Sequence, residues 1–73
     1  MTKQRISRQF GRNLAEARGW VGMSQTQLAQ ELGVRQSQVA RLENGERCPS
    51  LYRLMTLADA VGVQVRDLLY GIE

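Results

Sequence analysis

Residues Gln25 to Asn44 read QTQLAQELGVRQSQVARLEN, and this stretch decides the fold. Its first part, Gln25 to Leu32, carries Leu28, Ala29 and Leu32 at helical spacing, so one face is apolar. Ser24 stands before it as an N-cap, with Gln27 three residues on as in a capping box. Gly33 follows as the stop, since glycine reaches the positive φ that turns the chain without steric strain. A second helix is expected from about Gln36 to Asn44, with Val39 and Leu42 inward and Gly45 at its end. Ala29 is small enough for that helix to cross closely, and Val34 is placed to plug the gap under the turn Gly33-Val34-Arg35. Two short helices joined by a tight turn over a shared apolar seam make a helix-turn-helix.

Working outward, three more helices are predicted. One precedes the unit, from about Gln4 to Trp20, with Ile6, Phe10, Leu14, Ala17 and Val21 as its stripe and Gly22 as its stop. Another follows Pro49 with Ser50 as N-cap; Leu51, Leu54, Met55, Ala58 and Val61 form its stripe and Gly62 ends it. A short one runs from about Val65 to Tyr70. Strand alternation is nearly absent, and there is no repeat or low-complexity linker. The expectation is one all-α domain over residues 1–73, a compact five-helix fold with the helix-turn-helix at 25–44.

Composition narrows the chemistry. The chain has 73 residues and no His. At that size folding buries only about 60% of the unfolded chain's surface, so a deep walled active site is not expected. Stability of roughly 4 to 11 kcal/mol follows from ~0.05–0.15 kcal/mol per residue. Cys48 is the single cysteine, so no internal disulfide forms, and no metal-ligand cluster exists. Beside Pro49 it reads as a plain exposed thiol rather than a redox switch. With no His, no metal ligands and no Gly-rich phosphate loop, neither an enzyme nor a cofactor is expected. No apolar run approaches the ~20 residues of a membrane span, and the N-terminus has no signal-like apolar region. A soluble, cytoplasmic protein is expected.

The net charge of +3 is unevenly placed. Residues 1–12 hold Lys3, Arg5, Arg8 and Arg12 and no acid. Nine of the ten basic residues are Arg, whose fork matches phosphate oxygens and guanine edges as Lys cannot. Charge alone does not separate a nucleic-acid partner from a solvated basic face.

Helical geometry of ~100° per residue assigns the faces of the second helix in the unit. With Val39 and Leu42 inward, the opposite side presents Ser37, Ala40, Arg41 and Asn44. Gln36 lies on the flank but in the first turn, the turn that reaches base edges when such a helix enters the major groove. Amide, hydroxyl, methyl and guanidinium groups suit adenine, thymine and guanine edges. Glu43 falls on the flank nearer the core, which is costly for a carboxylate unless it is paired.

The chain resembles the phage Cro/repressor-type, or XRE-like, helix-turn-helix family, and with it the lambda-repressor-like DNA-binding fold. The resemblance runs from about Phe10 to Leu69. It rests on Arg18, Ser24-Gln25, Leu28-Ala29, Gly33-Val34, Leu42-Glu43-Asn44-Gly45, Pro49-Ser50-Leu51, Leu57-Ala58 and Gly62-Val63, with no gap. It implies that Gln36, Ser37 and Arg41, with Gln38, read bases of double-stranded DNA. It implies phosphate contacts at Ser24, Gln25, Arg35, Asn44 and Arg47, with Gln25 also bracing Gln36. Arg18 would pair with Glu43 as a structural tie. Leu68, Leu69 and Tyr70 either close the core or make a homodimer contact.

Two positions depart from the family pattern. Arg35 stands where Ser or Asp usually caps the reading helix, so the cap is weaker or a later residue serves. Trp20 stands where a polar residue is usual, covering a core edge or marking a protein contact. The expected function is a sequence-specific transcriptional regulator, a dimeric repressor on a palindromic operator, with no small-molecule effector evident. A phage Cro-like repressor or a restriction–modification controller fits the size. The alternative is the antitoxin half of a toxin–antitoxin pair, against which the three residues after Tyr70 count as too short a grip.

Overall fold

The computed structural model describes Met1–Glu73 in full. Five helices follow in order: α1 (Lys3–Trp20), α2 (Gln25–Leu32), α3 (Gln36–Glu43), α4 (Leu51–Val61) and α5 (Val65–Leu68). Local signals account for their ends. Thr2 Oγ1 accepts from Arg5 N at 3.2 Å and Ser50 Oγ from Arg53 N at 3.0 Å. Ser24 and Gln27 form the expected capping box, with bonds of 2.8 and 3.0 Å. Gly33 closes α2 at φ 69°, and the Val34 amide returns to the Ala29 carbonyl at 3.0 Å.

The core is a single cluster of Phe10, Leu14, Leu28, Ala29, Val39, Leu42, Leu57, Ala58, Val61 and Leu68. α1 packs on α3 and α5, α2 on α3 and α4, and α4 on α5. Val34 packs half-buried against the cluster, as expected of the plug beneath the turn. The α1–α3 contact depends on Gly11. A Cβ there would meet the carbonyl oxygens of Glu43 and Leu42, the latter at 2.6 Å. Only hydrogen fits between the two backbones.

Several expectations are corrected. The α4 stripe is Leu54, Leu57, Ala58 and Val61, whereas Leu51 and Met55 are exposed. Leu57 completes the i, i+3, i+4, i+7 set with Leu54, and Met55 lies roughly 110° away from that stripe's centre. Val21 lies beyond the helix and is exposed. α5 stops at Leu68 rather than Tyr70, and α3 at Glu43 rather than Asn44. Trp20 covers no core edge, being 90% exposed.

The C-terminus is held by a residue that carries no signal in the sequence. Asn13 is buried, and its Nδ2 donates to the Leu68 and Tyr70 carbonyls at 2.8 Å each. Its Oδ1 accepts from Gln9 Nε2 at 3.0 Å. One amide thus satisfies two carbonyls that α5 leaves unpaired at its end.

Candidate nucleic-acid interface

The site begins with a buried carboxylate. Glu43, at the end of α3, has a side chain only 5% exposed. Arg18 meets it with a two-point fork, Nε to Oε2 at 2.7 Å and Nη2 to Oε1 at 3.0 Å. Arg18 Nη1 donates to the Met23 carbonyl at 2.8 Å. The hydrogen bond to Glu43 raises the Arg18 pKa above its ordinary value against opposing desolvation, and Glu43's charge adds to the rise. The fork joins α1, the α1–α2 loop and α3.

A relay of amides starts from that carboxylate. Glu43 Oε1 also accepts from Gln25 Nε2 at 2.9 Å. An ionised carboxylate only accepts, so Gln25 must turn its NH2 inward and its oxygen outward. Gln25 Oε1 then accepts from Gln36 Nε2 at 2.7 Å. Each orientation forces the next. Gln36, exposed in the first turn of α3, is left with Oε1 and one Nε2 hydrogen free. That is the acceptor–donor pair complementary to N6 and N7 of adenine in the major groove.

Ser37, Arg41 and Asn44 are exposed, as the helical face assignment requires, whereas Ala40, expected beside them, is half-buried. Arg41 has no carboxylate within ion-pair distance, so its fork is uncommitted. Gln38 has a structural role as well. Its Oε1 accepts from Arg35 N at 3.1 Å, capping α3 where the Arg35 side chain has no acceptor to offer. Its side chain lines a groove with Arg47, Cys48 and Arg53, on the flank opposite Gln36.

The expected phosphate ligands differ in exposure. Ser24, Arg35, Asn44 and Arg47 are exposed and Gln25 is half-buried. Ser24 Oγ already accepts from Gln27 N, so only its hydroxyl hydrogen is free to donate. The amides of Gln25 and Thr26, the first two of α2, have no intrahelical acceptor by position. Arg53 joins Arg47 in that groove without having been expected there; its only sequence signal is its place three residues after the Ser50 cap. Cys48 is a free, exposed thiol.

The expected dimer residues separate. Of the two alternatives Leu68 takes the core: it is 0% exposed, because the α5 turn points it at α1 and α4. Leu69 and Tyr70 are exposed. Tyr70 and Trp20 line one groove with Ala17 and Val63, which brings together an apolar surface the sequence holds far apart.

Comparison with known proteins agrees with this geometry. The family model HTH_3, described as helix-turn-helix, matches residues 14–68. No curated protein matches. Among solved structures, the restriction-modification controller protein C.AhdI from Aeromonas hydrophila is similar, with TM-score 0.79 and 38% identity over 84% of this chain and 92% of that one. An HTH_3 family transcriptional regulator from Vibrio cholerae gives TM-score 0.84 at 24% identity, covering 92% of this chain and 38% of that one. That likeness is one of fold. Apo-HppE gives TM-score 0.83 at 32% identity, covering 88% of this chain and 36% of that one. The chain spans a little over a third of the latter two. By the family match and the controller-protein likeness together, the chain belongs to the HTH_3, XRE-type, helix-turn-helix family.

Proposed function

We propose that the protein is a sequence-specific double-stranded DNA-binding regulator of transcription, a repressor that acts as a homodimer on a palindromic operator. The observation that carries the reading is the relay Arg18–Glu43–Gln25–Gln36. It orients an exposed amide at the start of α3 before any ligand arrives, and a pre-oriented polar group binds with less ordering loss. Gln36 addresses adenine, Arg41 addresses guanine, and Ser37 lies between them. Ser24, Gln25, Arg35, Asn44 and Arg47 hold the phosphates, which sets register and supplies most of the salt-sensitive affinity. The first-turn amides of α2 suit a phosphate oxygen in the same way.

The likeness to C.AhdI supports a controller of a restriction–modification system over other contexts of this fold. Leu69 and Tyr70 are the proposed dimer contact, with Trp20 alongside. The protein would act in the cytoplasm, on the nucleoid. Selection of bound duplexes from a random pool at near-physiological salt tests the proposal. A palindrome with half-sites about one helical turn, ~34 Å, apart is expected. Enrichment of no sequence overturns it.

The 90% exposure of Trp20 favours one other reading, the antitoxin component of a toxin–antitoxin pair, in which that ring grips a protein partner. Sequence-selective duplex binding that survives Trp20→Ala unchanged, with no loss of self-association, would leave that reading as Trp20's remaining role.

A further inference from the structure

The amino-terminal half of α1 carries a cationic surface that the reading face does not use. Arg5, Arg8 and Arg12 follow one another at spacings of three and four, so they form a ladder about 60° wide along the helix. All three are exposed. They line one shallow depression with Met1 and Gln9. None is neutralised: the single ion pair in the molecule is Arg18–Glu43. Glu16, one turn beyond Arg12, and Glu46, in the loop after α3, both lie outside ion-pair distance of the ladder.

The position of the ladder is fixed by a close approach. Gly45, next to Asn44 in the loop after α3, adopts φ +77°. A Cβ there would stand 2.7 Å from Arg8 Cγ and 2.9 Å from Arg8 Cα. The α1 backbone therefore lies directly against the loop that follows the reading helix. Arg5 and Arg12 flank that junction, one turn of α1 to either side of Arg8. Three uncompensated guanidinium groups held together concentrate positive potential, which attracts an anionic partner.

We infer that the Arg5–Arg8–Arg12 ladder is a second phosphate-binding strip, which grips the backbone of the same duplex beyond the segment read by α3. The inference rests on the DNA-binding reading above and extends it. Charge complementarity supplies the partner's chemistry, and the packing of Arg8 on the Asn44–Gly45 loop supplies continuity with the proposed interface. The strip carries affinity without base preference, because phosphates hold no sequence information.

The test is a salt titration of binding to a 30-base-pair random-sequence duplex, from about 50 to 200 mM salt. Arg5→Gln with Arg12→Gln leaves the Arg8–Gly45 packing intact and should keep the wild-type melting curve. The slope of log affinity against log salt should fall by about 0.9 for each phosphate that is no longer neutralised. Arg5→Lys with Arg12→Lys should restore it. Arg66→Gln, on α5, should leave the slope unchanged. A wild-type slope in the double glutamine variant, or an equal fall in Arg66→Gln, overturns the ladder alone. Absence of salt-dependent binding by the wild type overturns the DNA-binding reading with it.

Discussion

Gln36 on α3 and Gln25 on α2 share a hydrogen bond of 2.7 Å whose direction is decided by neither of them. Glu43 decides it, because its carboxylate takes the NH2 of Gln25 and leaves only an oxygen to face Gln36. The exposed amide is therefore oriented by a buried charge.

Gln25→Ala should separate recognition from stability. Gln25 lies outside the core cluster, so its removal should change unfolding free energy by less than about 1 kcal/mol. Preference for the Gln36-specified base should fall about tenfold, or ~1.4 kcal/mol. Competition binding with matched and single-mismatch duplexes measures the ratio. An unchanged ratio would mean that Gln36 does not need its brace.

Arg18→Met should be among the more damaging single changes. It leaves Glu43 buried and uncompensated, at a cost of about 3–5 kcal/mol, a large share of a total of ~4–11 kcal/mol. Arg18→Met with Glu43→Leu should recover most of that loss, since the buried charge goes with its partner. Urea unfolding of the single and double variants gives the coupling. A double variant destabilised by the sum of the two single effects would contradict the pairing.

Two glycines of the same helix should respond with opposite sign. Gly19 faces open space, and Gly19→Ala should stabilise by about 0.4–1 kcal/mol. Gly11→Ala drives a methyl against the Leu42 and Glu43 carbonyls and should destabilise by about 1–3 kcal/mol. Thermal melts of the two variants side by side decide the matter. A stabilising Gly11→Ala would mean that α1 and α3 are not closely packed.

At the C-terminus, Leu68 and Leu69 should divide folding from association. Leu68→Ala should cost about 2–5 kcal/mol, as a core truncation. Leu69→Ala and Tyr70→Ala should each cost under about 1 kcal/mol of monomer stability and weaken the proposed dimer. Sedimentation across a concentration series measures the second effect. A dimer unmoved by both changes would place the interface elsewhere.

The helices are legible in the sequence because their signals are local. Ser24, Ser50 and Gly33 act within a turn of where they stand, and Phe10, Leu14, Leu28, Val39 and Leu42 repeat at helical spacing. The inward face of α4 is ambiguous in the sequence, because Leu51 and Met55 extend a helical stripe as plausibly as Leu57 does. Only the packing of α2 and α5 against α4 distinguishes the two faces. Gln38 resembles a base reader by its place in the first turn of α3; its capping role follows from what the Arg35 side chain cannot do. Asn13 gives no signal, since the carbonyls it holds lie 55 and 57 positions away in sequence. The joining of Trp20 to Tyr70 is hidden for the same reason.

Parallel selection of duplexes by the wild type and by Arg41→Ala tests whether the exposed face of α3 reads bases. One palindromic motif is expected for the wild type, and the same motif with preference lost at a single position of each half-site for Arg41→Ala. Arg47→Ala, carried alongside, should weaken all duplexes about equally and keep the motif. Identical motifs from the wild type and Arg41→Ala, or uniform weakening by both substitutions, would contradict base reading by α3.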